Sequence, residues 1–337
     1  MPDADLLPTP VFPLNLADNT HRTYSSAQRQ YLTFCKTHDF TAVPASEETL
    51  SLFVAFLADH LKPQSIKVYL AGVCVLHISH GFHNPLTHTI KLQQTLRGIE
   101  RVHSSLPKQK LLITFDLLCH LQYFIELHPK DDTVYWAAVT TAHFLLLRAG
   151  EFTVTSKTSY DAETLLCLQD VSLHTTQTGD EYVALHLRKS KTDQQHRGVV
   201  LYVGLAHHTV YAVCTLKTNL HLQHAHPRST PSSPLFRLSS GLPLARRDLT
   251  TFLSTLLQLK GLDPQHYSGH SFCIGGATSA TIAELNDYEI KLLGRWSSNC
   301  YKRYIRSPLS LFLMVAPCIA QTKDIPYQYA SHYHSST

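Results

Sequence analysis

Residues 45–73, ASEETLSLFVAFLADHLKPQSIKVYLAGV, decide the fold class of the first third of the chain. Ser46 followed by Glu47 and Glu48 is an N-cap with an acidic first turn, which suits the positive end of a helix. Leu50, Phe53, Val54, Leu57, Ala58 and Leu61 then fall at i, i+3, i+4, i+7, i+8 and i+11, one apolar stripe of helical period. Pro63 closes that helix, and Ile66, Tyr69, Leu70, Val73 and Leu76 begin a second stripe that stops at Gly81. With flanking helices expected near 22–38 and 88–103, residues 21–104 read as a small helical domain. Residues 1–20 are proline-rich and aperiodic, a disordered lead-in. The linker is placed at 105–112, within the polar, basic, proline-bearing stretch HSSLPKQK (103–110).

Residues 113–321 read as a second, mixed domain. Helical stretches are expected at 114–128, 131–147, 207–224, 246–260, 276–285, 287–293, 298–305 and 309–320. Strands are expected at Thr164–Leu173, Tyr182–Arg188 and Val199–Val203, the last two joined by the polar turn KSKTDQQHRG. The fold class expected is therefore mainly α with one small antiparallel β-sheet (α+β), and residues 322–337 are expected to form a flexible tail.

Composition bounds the function. Apolar residues are 44% of 337 and charged residues 16%, enough to build a core and too few charges for a disordered chain. The longest apolar run, Leu309–Ala320, is broken by Ser310 and Pro317 and falls short of a membrane span. The start, MPDADLLPTP, lacks the basic and apolar regions of a secretory signal, so a soluble intracellular protein is expected. The net charge of +4 hides an asymmetry: Arg22–Lys110 holds ten basic and five acidic residues, so the first part is the electropositive one. The eight cysteines (35, 74, 119, 167, 214, 273, 300, 318) never fall at C-x-x-C spacing, which excludes a zinc ribbon or thioredoxin motif and, without a secretion signal, implies reduced thiols. His221, His224 and His226 cluster beside Pro227 in what reads as surface loop rather than a metal site.

Four strings carry chemistry. In SGHSFCIGGA (268–277) a hydrolase nucleophile elbow would use Ser271, but Cys273 stands where that turn needs glycine. Gly275–Gly276 has neither a G-x-G-x-x-G pattern nor a Lys-Ser/Thr partner, so no nucleotide is expected. In LLGRWSSNCYKRYIR (292–306) Tyr301 and Tyr304 lie one turn apart among Lys302, Arg303 and Arg306; alone, this reads as an amphipathic helix carrying aromatics against a core. In LLLRAGEF (145–152) an apolar helix meets Arg148, with Glu151 one turn on, either a structural pair or an anion ligand held by its carboxylate. Last, the expected hairpin tip carries Lys189 and Lys191, able to reach a bound phosphate.

The order of these strings resembles the catalytic domain of the tyrosine recombinases, the phage-type integrases. The stretches SKTD, GHSF-x-IG, LGRW-x-S and YIR resemble most closely those of eukaryotic Crypton and DIRS/Ngaro transposon recombinases, and 45–73 resembles their core-binding domain. The resemblance spans about 22–320. It implies a SAM-like helical core-binding domain and a catalytic domain that together clamp double-stranded DNA and cut and rejoin it. It implies Tyr304 as the nucleophile forming a 3′-phosphotyrosyl ester, with Tyr301 the fallback. Arg148 would stabilise charge on the phosphate, supported by Glu151; Lys191, or Lys189, would protonate the 5′-oxygen, and His270 would act as acid/base. Arg295, nine residues before Tyr304, or its neighbour Trp296, fills a hydrogen-bonding position held by His or Trp in many relatives. It further implies a homotetramer on two DNA sites, the C-terminal helix packing on a neighbour, no metal, nucleotide, other cofactor or membrane, and action in the nucleus.

One position departs from the pattern. The second arginine of H-x-x-R is replaced: three residues after His270 stands Cys273, whose thiol offers a phosphate neither a charge nor a fork of donors. Losing such a donor costs on the order of 10²–10³ in rate. The alternative function is therefore a domesticated or decayed DNA-binding protein of the same fold with impaired catalysis. A type IB topoisomerase uses similar chemistry, but the small helical domain and the transposon-like stretches fit it less well.

Overall fold

The computed structural model of the chain describes residues 18–103, 110–125, 130–161, 163–188, 190, 198–205, 210–296 and 298–303, and only the backbone of residues 18, 19, 130, 300 and 303. It divides into two compact units, Met1–Lys108 and Gln109–Thr337. Tyr304, Lys189, Lys191 and the expected helix at 309–320 lie outside the described residues.

The first unit holds four helices: α1 (Asp18–Thr37), α2 (Glu47–Ala58), α3 (Pro63–Ser79) and α4 (Ile90–Val102). The Ser46 hydroxyl accepts from the Thr49 amide at 3.0 Å, and Pro63 stands at the first position of α3, where its missing N–H costs nothing. Both predicted stripes turn inward. Leu50, Phe53, Val54 and Leu57 meet Ile66, Leu70, Val73 and Leu76, with Tyr31 and Phe34 of α1 completing the core. Gly72 lets α3 close on α1, because a Cβ there would sit 3.0 Å from that of Ala27.

The second unit is helical around one sheet. It runs α5 (Phe115–Gln122), α6 (Lys130–Phe144), the single turn α7 (Ala149–Phe152), β1 (Val171–Thr175), β2 (Glu181–Leu187), β3 (Val199–Gly204), α8 (Ala212–His224), α9 (Arg246–Leu259), α10 (Ser271–Ile282) and α11 (Asp287–Gly294). The three strands are antiparallel in the order β1-β2-β3, with Leu173 opposite Val183 and Leu185 opposite Leu201. Val183, Leu185 and Leu187 point into the core, while Tyr182 and Tyr202 take the other face. Helix α6 is buried on all sides, through Val134, Trp136, Ala137, Ala138, Val139 and Ala142, and its Thr140 hydroxyl meets that of Thr215 in α8 at 2.6 Å.

Three sequence expectations fail locally. The first strand begins at Val171 rather than Thr164, because Leu165–Leu168 instead fills the core and turns through a 3-10 segment (Leu168–Asp170) capped by the Asp170 carboxylate on the Cys167 amide at 2.8 Å. The helix expected at 298–305 is a 3-10 turn, Asn299–Arg303, as far as the chain is described. Helix α10 starts at Ser271, five residues before the expected 276, so it contains both glycines of the pair instead of starting at the second.

The reason is packing. A Cβ on Gly275 would fall on the carbonyl of Ile113, and one on Gly276 would lie 2.2 Å from Leu146 Cδ2 and 2.5 Å from the His143 carbonyl. The pair allows close approach of α10 to the segment around Ile113 and to the end of α6. The segment 111–113 is further bonded to the same region, Leu111 N–H to His266 O at 2.7 Å and Ile113 N–H to Ser271 O at 3.1 Å.

Gly275→Ala should therefore overpack this contact and lower stability by about 3 kcal/mol or more. Gly98→Ala, on α4 with nothing within 4 Å of the new methyl, should raise it by roughly 0.5–1 kcal/mol. Urea denaturation of the two variants checks both signs.

Candidate active site

The site is built at the end of α6. Leu146 adopts a left-handed conformation (φ +49°), and the Leu147 amide reaches back to Ala142 O at 2.9 Å, so the helix stops in a tight reversal. That reversal turns out the carbonyls of Leu145, Leu146 and Leu147, which no longer have helical partners. They are met from two other helices. Arg295, the left-handed residue (φ +55°) that ends α11, sends Nη1 to Leu145 O and Nη2 to Leu146 O, each at 3.1 Å. Cys273, one turn into α10, donates its thiol to Leu147 O at 3.0 Å.

Directly after the reversal comes Arg148, at the N-cap of α7. Glu151 folds back on it: Oε2 accepts the Arg148 backbone N–H at 2.8 Å and Oε1 accepts Nη1 at 3.0 Å. Arg295 Nη2 reaches the same Oε2 at 2.8 Å. One carboxylate thus holds two guanidiniums. The Glu151 and Arg295 side chains are 5% and 7% exposed and that of Arg148 17%, so Arg148 is the arginine nearer to solvent. Arg148 Nη2 also points to Gly294 O at 3.4 Å, on the last residue of α11.

His270 is exposed and immediately precedes α10. The turn that carries it lies on α7, since a Cβ on Gly269 would come 3.1 Å from that of Ala149. Beside it a cleft lined by Ala149, Arg246, Ser268 and Gly269 opens, with the Arg246 guanidinium 3.1 Å from where a Cβ on Gly150 would be. Trp296 is buried and stacks on Tyr301, ring centroids 5.8 Å apart. Gly294 permits this, as a Cβ there would overlap the indole. Tyr301 is itself fully buried, and burial together with the Asp287 carboxylate pushes its phenol up to about 12, which suits a core residue better than a nucleophile.

The structure therefore brings Arg148, Glu151, Cys273 and Arg295 into one cluster, with His270 on the neighbouring turn. Trp296 belongs to the apolar layer behind it, with Leu146, Ala277, Ile290 and Tyr301. The three outward carbonyls escaped sequence reasoning; the arginine after an apolar helix hinted at the break but not at its acceptors. Among the described residues, no group of three His, Cys, Asp or Glu is placed to hold a metal ion, and no helix is long and apolar enough to cross a membrane.

The electrostatics favour an anion. Burial first, and then the Glu151 carboxylate, push the Cys273 thiol up to about 11, against the pull of Arg148 and Arg295, so it is neutral. Two guanidiniums, one carboxylate and a neutral thiol leave a surplus of one positive charge, the complement of a phosphodiester.

The integrase/recombinase XerD homolog of Selenomonas ruminantium is 26% identical over 296 residues, 86% of this chain and 82% of its own. The XerH site-specific recombinase in a post-cleavage complex with palindromic difH substrate superposes with a TM-score of 0.60 at 14% identity, covering 89% of this chain and 80% of that one. The fold is that of the tyrosine recombinases. The Tn1549 transposon integrase in complex with transposon right end DNA has a TM-score of 0.57 at 12% identity, with 91% and 95% covered. No protein-family model matches this chain.

Glu151→Gln should leave two buried guanidiniums sharing a neutral amide and cost about 3–5 kcal/mol, measured by urea denaturation. The raised thiol gives a second test. A group whose proton is held more tightly in the folded state stabilises it fully below its ordinary value of 9 and ceases to do so as pH rises to about 11. Between pH 9 and 11 the wild type should lose up to about 2–3 kcal/mol more than Cys273→Ala, read from denaturation at each pH.

Proposed function

We propose that the chain is a site-specific DNA recombinase of the tyrosine class, acting on double-stranded DNA. The observation that carries this reading is the Glu151-held Arg148, set beside His270 with one positive charge in surplus, within this fold. Tyr304 Oη attacks the phosphorus of a backbone phosphodiester and the bond to the 5′-oxygen breaks. Lys191 gives that oxygen its proton, leaving a 3′-phosphotyrosyl ester, and attack by a 5′-hydroxyl of another strand reverses the step. Arg148 stabilises the charge developing on the phosphoryl oxygens, and His270 exchanges the nucleophile's proton. Phosphate contacts supply most of the affinity and make it fall with salt.

The stretches SKTD, GHSFCIG, LGRWSS and YIR support an origin in eukaryotic transposons of the Crypton and DIRS/Ngaro type, and with it a tetramer on paired sites and action in the nucleus. A second reading has a specific observation behind it. The position of the second phosphate-binding arginine holds a buried, neutral Cys273, which favours a protein that grips DNA and exchanges strands poorly or not at all.

Trapping on nicked duplexes, from a random library and from element termini, tests both. The recombinase reading expects a covalent protein–DNA adduct on denaturing gels, lost in Tyr304→Phe and reduced about 10²–10³-fold in Arg148→Ala. Salt-sensitive binding without adduct establishes the second reading, and a gain of adduct in Cys273→Arg then locates the defect. Absence of any DNA binding overturns both.

A further inference from the structure

The structure assigns Arg295 the task of a positioning residue: it fixes Glu151, and through Glu151 the guanidinium of Arg148, from inside the protein. This rests on the recombinase reading only in taking Arg148 as the group that meets the phosphate.

The geometry separates the two arginines. Arg295 gives Nη1 to Leu145 O and to Leu293 O (3.1 and 3.2 Å), and Nη2 to Leu146 O and Glu151 Oε2 (3.1 and 2.8 Å). Its planar fork thus spans the broken end of α6, the end of α11 and the carboxylate, a set of acceptors that a flexible ammonium could not meet together. A cation at a helix C-terminus is also favourably placed against the helix dipole. Arg148 has a different allotment, with one side-chain bond to Glu151, a long one to Gly294 O, and more than twice the exposure. An arriving phosphate would meet Arg148 first.

Cys273 makes the arrangement possible. Its thiol shares Leu146 O with Arg295, at 3.5 Å against 3.1 Å, and takes Leu147 O for itself. A small neutral side chain at 273 leaves the carbonyl cluster to Arg295 and adds no third cation around a single carboxylate. Arg295 and Cys273 form one unit, in which residue 273 cedes the acceptors that residue 295 uses to lock Glu151.

The test reads Arg148 directly. Rotation of its guanidinium about the Nε–Cζ bond can be followed by carbon-detected NMR on the full chain, with Arg148→Lys giving the assignment. In the wild type the bond to a fixed Glu151 should make it slow. Arg295→Met should release Glu151 and speed the rotation at least about tenfold, the equivalent of one lost charge-assisted hydrogen bond. Arg295→Lys should recover part of the slowing through its contact with the carboxylate. Should Arg295→Met not fold, Arg295→Gln, which keeps a donor for Leu146 O, replaces it under the same expectation.

On nicked duplex, adduct should form about tenfold more slowly in the Arg295 variants, while the affinity lost with the buried charge in Arg295→Met and Arg295→Gln stays well below the loss in Arg148→Ala, since a buried residue contributes more to alignment than to grip. Unchanged Arg148 rotation in a folded Arg295→Met or Arg295→Gln protein would overturn the proposal. So would a loss of DNA affinity as large as that of Arg148→Ala, which would make Arg295 a phosphate ligand itself. A wild type that binds no duplex would instead remove the recombinase reading, and the rotation measurement would still decide the role of Arg295.

Discussion

The carboxylate of Glu151, buried between Arg148 and Arg295 at 3.0 and 2.8 Å, is the contact on which the second unit turns. Taking three charges out of water is costly, and the cost is met only when every donor and acceptor has a partner. Here the second guanidinium ends on backbone carbonyls at the break after α6, and Glu151 also caps the backbone of Arg148. The network fixes where α6 stops, where α7 starts and where α11 ends. Side chains from three separate parts of the sequence are held to one geometry.

Glycines set the distances that let this happen. Gly275 and Gly276 bring α10 onto the extended segment at Ile113 and onto the last turn of α6, which carries Cys273 to the Leu147 carbonyl. Gly269 does the same for the turn bearing His270 against α7, and Gly294 seats Trp296 behind the cluster. The glycine pair, which fits no phosphate-binding pattern in the sequence, is a helix contact in three dimensions. The chemistry lies in the side chains that this contact aligns.

Much of this was legible in the chain itself. Period and capping residues gave α2 and α3 because their stripes are long and their caps conventional: Ser46, Pro63 and the acidic first turn all behave locally as peptides do. Strands β2 and β3 were legible for the same reason, as alternating runs. The first strand was not, since Leu165–Leu168 is as apolar as a strand and is claimed instead by the core and by the Asp170 cap. The cluster was half visible. Arg148 and Glu151 lie one turn apart and announce a pair, whereas Arg295 joins them from 144 residues away through carbonyls that appear only once α6 breaks at Leu146. The burial of Tyr301 against Trp296 depends on the missing side chain of Gly294, whose Cβ would overlap the indole, a contact that no local pattern encodes.

The central claim is that the Glu151-held Arg148 receives a DNA backbone phosphate. A structure of the chain bound to a nicked duplex tests it most directly. The account predicts a phosphate oxygen within about 3 Å of the Arg148 guanidinium, with His270 on the same phosphate and the Arg295 guanidinium still on the Leu145 and Leu146 carbonyls. Duplex bound with every phosphate remote from Arg148, or with Arg148 turned fully onto protein acceptors, would contradict it.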